Sequence, residues 1–169
     1  LLGDMPIFVA HDSVDVWMQR EYFQLDDGGQ PTAVAGVPPD YFSAQGQRWG
    51  NPLYRWDRMQ ADGFRWWIAR MTTEFRRFDL LRVDHFRGFE AYWEIPAADE
   101  TAVNGRWVKA VGEALFEVLL SHFGTLPLVA EDLAYPAPSG AVGDSYVFYI
   151  GFDPQALKPE PKQRPKKKQ

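Results

Sequence analysis

The chain has 169 residues, 46% hydrophobic and 15% aromatic, enough apolar content for one core of ordinary single-domain size. It has no cysteine and only three dispersed histidines, which excludes a disulfide framework and a thiolate metal site, argues against any metal, and fits a reducing, cytoplasmic setting. The net charge of −5 is uneven: residues 158–169 carry six Lys or Arg against one Glu, so the remainder stands at −10, and an acidic body is not expected to bind nucleic acid.

Taken in chain order, Leu1 and Leu2 run directly into Gly3 and Asp4 as though the sequence opened inside a buried strand, with something upstream missing. The stretch LLGDMPIFVA has neither the basic start nor the cleavage site of a signal peptide, and no run of about 18 apolar residues appears, so neither secretion nor membrane insertion is expected. Residues 26–54 are rich in Gly, Pro, Ser, Asn and aromatics, which predicts a long loop of the functional kind. Its rings, Tyr41, Phe42, Trp49 and Tyr54, with Trp56 just beyond, read either as a hydrophobic plug or as flat platforms for sugar rings.

From 63 to 78, Phe64, Trp67, Ile68, Met71, Phe75 and Phe78 recur at three- and four-residue spacings, predicting an amphipathic helix. FDLLRVDHF reads as a buried strand. A second helix is expected over 109–123, presenting Val111, Leu115, Val118 and Leu119 and stopping at Gly124, and LPLVAEDL reads as another strand. Helices alternating with apolar strands predict a parallel α/β sheet with functional groups at the strands' carboxyl ends. SYVFYIGF is a further strand candidate within a divergent segment, 135–157, and 158–169 reads as a basic, Pro-rich disordered tail. Three or four strands cannot close a (β/α)₈ barrel, which takes about 250 residues.

Side chains alternate along a strand, so Arg82 and Asp84 share a face while Val83 takes the other. A fixed cation beside Asp84 favours the ionised acid that a carboxylate nucleophile needs, although a structural ion pair would look the same. Glu131 shares the face of Val129 where a buried strand emerges; partial burial would raise its pKa and suit a general acid, whereas an exposed position would leave an ordinary Glu. If the two strands are neighbours, Asp84 and Glu131 flank one bond. Asp4 stands at a third strand end, as a ligand for sugar hydroxyls or as a turn-capping Asp.

Five blocks, GDMPIFVAHDSVDVW, AVAGVPPDYFSAQGQRWGNPLYRW, FDLLRVDHFRGFEAYWEIPA, TAVNGRWVK and LPLVAEDL, resemble the amylomaltase (4-α-glucanotransferase) family in order over residues 1–134. The resemblance implies part of a catalytic (β/α)₈ barrel with a long aromatic-rich loop insertion, acting on maltooligosaccharides and other α-1,4-glucans by a retaining double displacement with neither metal nor cofactor. It implies Asp84 as nucleophile, Glu131 as acid/base and Arg82 as the group that positions Asp84. Asp4, Trp49, Asn51, Tyr41, Phe42, Tyr54 and His85 are implied to bind substrate, and Arg87 belongs to the same block as His85. Residues 41–54 are expected to hold the acceptor sugar and exclude water. The family's later H-D-N block, carrying a third catalytic Asp, does not follow Glu131; His11 and Asp12 belong to an earlier block, and Ala134 replaces the usual Gly. The expectation is therefore an incomplete catalytic unit with little activity alone, and the alternative is a non-catalytic glucan-binding remnant.

Overall fold

The computed structural model describes residues 1–132 and 146–150. The divergent segment and basic tail expected at 135–169 lie outside the described residues, apart from one strand at Tyr146–Ile150.

Two sheets carry the architecture. In the first, β1 (Leu2–Pro6), β4 (Leu80–Asp84) and β7 (Leu128–Asp132) run parallel, and β8 (Tyr146–Ile150) pairs antiparallel with β7. The second sheet, in the order β3-β2-β5-β6, is antiparallel and built from β2 (Ala33–Val37), β3 (Gln47–Pro52), β5 (Ala91–Pro96) and β6 (Arg106–Lys109). The helices are α1 (Val14–Met18), α2 (Trp56–Ala61), α3 (Arg65–Phe75) and α4 (Gly112–Phe123). Among the described residues no helix is long and apolar enough to cross a membrane.

The two longer helices and the two parallel strands predicted from periodicity all form. Two expectations are corrected. Residues 26–54 are not a structureless loop: they contain β2 and β3, which pair with each other, and β2 joins them to the second sheet through β5. The glycines that read as strand breakers permit that pairing, because a Cβ on Gly36 would lie 2.1 Å from the Gln47 carbonyl oxygen, and Gly46 turns the chain at φ 66°. The first sheet is also not wholly parallel, since β8 runs against β7.

One face of the parallel sheet is apolar. Met5, Leu81, Val83, Leu128 and Ala130 are buried in the same core cluster or alongside it as Trp67 and Met71 of α3 and Leu115 and Leu119 of α4. The alternate residues of the same strands therefore point away from this core. That parity places Asp4, Arg82, Asp84 and Glu131 together on the opposite face.

Candidate active site

The register of the parallel strands builds the site. Asp4 lies opposite Arg82, Pro6 opposite Asp84, and Arg82 opposite Val129, so two residues further along Asp84 comes beside Glu131. Arg82 is the hub. Its Nε and Nη2 donate to the two carboxylate oxygens of Asp4, each at 3.0 Å, and its Nη1 lies 2.9 Å from Oε2 of Glu131. Such a fork uses the planar geometry of guanidinium, which a lysine ammonium lacks.

The Glu131 carboxyl shares a hydrogen bond with that of Asp84. Glu131 is held above the usual carboxylate range, first by this hydrogen bond, then by burial and the nearby negative charges of Asp84 and Asp4; Arg82 pulls the other way. Arg82, conversely, is fixed in its charged form, chiefly by its bonds to Asp4. The arrangement thus sets a carboxyl whose pKa is raised directly beside a second carboxyl.

His85 follows Asp84 with a left-handed backbone (φ 53°, ψ 48°) that turns the chain sharply off β4. Trp49 meets its ring edge-on at 4.9 Å, and Phe8 lies at 6.5 Å. The turn is tight: a Cβ at Gly88 would stand 2.8 Å from Cδ1 of Ile7 and 3.2 Å from Cδ2 of His85. Arg87 stacks its guanidinium over Trp107 at 4.7 Å.

Asp4, Arg82, Asp84 and Glu131 are therefore brought into one network, with His85 and Trp49 beside it. Asn51 acts on the backbone, donating from Nδ2 to the Val9 carbonyl at 3.0 Å and tying β3 to the segment that leaves β1. Tyr41 and Phe42 pack edge to face at 5.7 Å and are 94% and 81% exposed, on a turn in which the Asp40 carboxylate accepts the Phe42 and Ser43 N–H groups. Tyr54 is a correction: at 1% exposure it lies in the core, its hydroxyl donating 2.6 Å to the Ile7 carbonyl, so it offers no face to a sugar and instead fixes the chain leaving β1.

Sequence reasoning missed Arg70. From α3 it donates to the carbonyls of Pro6 (2.8 Å) and Ile7 (3.2 Å) and lies over the rings of Trp66 and Trp67 at 5.2 and 5.3 Å. An arginine three and four residues after two indoles on a helix was the available signal. Among the described residues no cluster of three or more His, Asp or Glu is arranged to hold a metal ion.

A pair of interacting carboxyls and a bridging guanidinium, set at the carboxyl ends of adjacent parallel strands, define a carboxylate site on an α/β scaffold. The 4-alpha-glucanotransferase family model matches residues 1–139, and the chain belongs to that family. It is 61% identical over 138 residues to a 4-alpha-glucanotransferase of Thermus thermophilus, a match covering 82% of this chain and 28% of that protein. It is 56% identical over 135 residues to one of Aquifex aeolicus, covering 80% and 28%. Among solved structures, the amylomaltase of Streptococcus agalactiae in complex with acarbose superposes with a TM-score of 0.78 at 48% identity, covering 81% of this chain and 28% of that one. The chain thus spans a little over a quarter of the length of these relatives.

Proposed function

We propose that this chain supplies part of the active site of a retaining 4-α-glucanotransferase, with Asp84 as nucleophile and Glu131 as acid/base. The observation that carries the reading is the contact between these two carboxyls, that of Glu131 with its pKa raised, on the face of the parallel sheet opposite the apolar core. Glu131 gives its proton to the leaving glycosidic oxygen as Asp84 attacks the anomeric carbon, forming a glycosyl ester. Glu131, now ionised, then takes the proton of an incoming sugar's 4-hydroxyl, whose oxygen displaces Asp84 and restores the starting state. Retaining chemistry works with carboxyl groups about 5–5.5 Å apart, so an entering glucan parts the pair and breaks their hydrogen bond.

Within this reading Arg82 holds Asp4 and Glu131 in place, and Asp4 meets sugar hydroxyls. Trp49, on the ring edge of His85, forms a wall of the acceptor site with the exposed Tyr41 and Phe42. The three parallel strands are staves of a (β/α)₈ barrel, a reading supported by the likeness to amylomaltase. Maltooligosaccharides are the substrates, and the absence of cysteine supports a cytoplasmic setting.

Residues 1–132 exchanged for the matching stretch of the Thermus thermophilus relative provide the test. With maltotriose, product chromatography should show glucose and longer oligomers, and Asp84→Asn or Glu131→Gln in the exchanged segment should lower the rate on the order of a thousandfold or more. An active chimera indifferent to Asp84→Asn would exclude the assignment.

A further inference from the structure

A second concavity, of about 470 Å³, is lined by none of the Asp4–Arg82–Asp84–Glu131 network. Arg55, Arg58 and Lys109 converge on it against a single carboxylate, Asp57, so its wall is positive in a chain whose net charge is −5. Among the described residues none of these three cations lies within ion-pair distance of a carboxylate, unlike Arg77, Arg82 and Arg106. Arg55 gives one N–H to the Leu25 carbonyl at 3.2 Å, and the side chains of Arg58 and Lys109 are uncommitted.

The neutral groups of the wall are donors as well. Gln24 gives its carboxamide N–H to the Tyr54 carbonyl at 3.3 Å, and the Tyr92 phenol, which burial holds above its usual pKa range, also lines the wall. Trp56, also on the wall, is almost fully buried, and its Nε1–H has no acceptor in the protein. Three cations around one open depression call for an anion with several oxygens, and a carboxylate would satisfy fewer of them than a phosphate. The volume also exceeds what a bare phosphate fills, since a water occupies about 30 Å³.

We propose that this depression binds a phosphate monoester with a small organic body, its oxyanion held by Arg58 and Lys109 with Arg55 in support. The site is independent of the glucan chemistry assigned above.

Titration calorimetry on the 169-residue chain at low ionic strength tests it. Glucose 1-phosphate and adenosine 5′-monophosphate represent sugar-borne and nucleoside-borne esters, with inorganic phosphate and glucose as the two halves of the ligand. At least one ester should bind with Kd below about 1 mM, inorganic phosphate more weakly, and glucose not at all. Arg58→Gln and Lys109→Gln, both at exposed positions and checked for folding by their thermal melts, should each weaken binding about tenfold or more. Asp84→Asn should leave it unchanged, so failure here is separable from failure of the glucan site. No ester binding below about 10 mM, inorganic phosphate binding as tightly as the esters, or a folded Arg58→Gln/Lys109→Gln double variant that binds like the parent would each overturn the proposal.

Discussion

His85 combines a left-handed backbone, a half-buried ring and two nearby groups of opposite charge, Asp84 and Arg87. Burial lowers its pKa from 6.5 to about 4; the Asp84 carboxylate raises it and Arg87 lowers it further. In the unfolded chain the ring protonates near its ordinary value, whereas in the native state it stays neutral until the pH is far lower. Between those values the unfolded chain binds the extra proton, so stability falls as pH drops from about 6.5 towards 4, by roughly 3 kcal/mol for the whole shift. Glu131 works with the opposite sign: its raised pKa contributes stability at low pH that is lost as pH rises through the native value. Urea denaturation at pH 7 and pH 4.5 should therefore give a smaller loss at acid pH for His85→Asn than for the parent. Asparagine accepts the left-handed backbone, so the variant isolates the titration. Equal losses in both would mean the ring is not kept neutral by folding.

At the scale of elements, the face of β1 that carries Asp4 is set by groups outside the strand. Arg70 from α3 and the Tyr54 hydroxyl both take up carbonyls at the strand's end, and Arg70 is held against two indoles. Arg70→Met should cost about 2–3 kcal/mol in chemical denaturation, and Arg70→Lys should recover only part, because the ammonium lacks the fork that reaches both carbonyls. A lysine variant as stable as the parent would reduce Arg70 to a point charge. The elements differed in how plainly the sequence announced them. The period of Trp67, Met71 and Phe75 was enough for α3, and the apolar runs before Asp84 and Glu131 were enough for β4 and β7. β2 was hidden because Ala33–Val37 is buried on both sides and shows no alternation, and β3 because it is largely polar; β2 pairs with β5, dozens of residues away, and β3 joins the sheet through β2. The same distinction runs through the site. Arg82 and Asp84 sharing a face follows from local parity, but Asp4 gripping Arg82 depends on the register of strands 78 residues apart.

For the molecule as a whole, the face that carries the carboxyls is open at its Asp4 edge. The Asp4 side chain is 62% exposed even while Arg82 grips it. Transfer between sugars needs a site from which water is shut out, so that a hydroxyl and not a water molecule meets the glycosyl ester. The 169-residue polypeptide on its own should therefore yield neither glucose nor longer oligomers from maltotriose, as followed by product chromatography. Ready disproportionation would show that this open face suffices. The arrangement also dictates what β4 tolerates. Its odd-numbered residues, Leu81 and Val83, fill the apolar layer, and its even-numbered ones, Arg82 and Asp84, do the charged work. Gaining or losing one residue within this strand would exchange the two sets and drive a guanidinium and a carboxylate into hydrocarbon; a change of two would restore the faces yet carry Arg82 past Asp4. Substitutions in β4 should accordingly sort by parity, size at the odd places and charge at the even ones, while its length admits no variation at all.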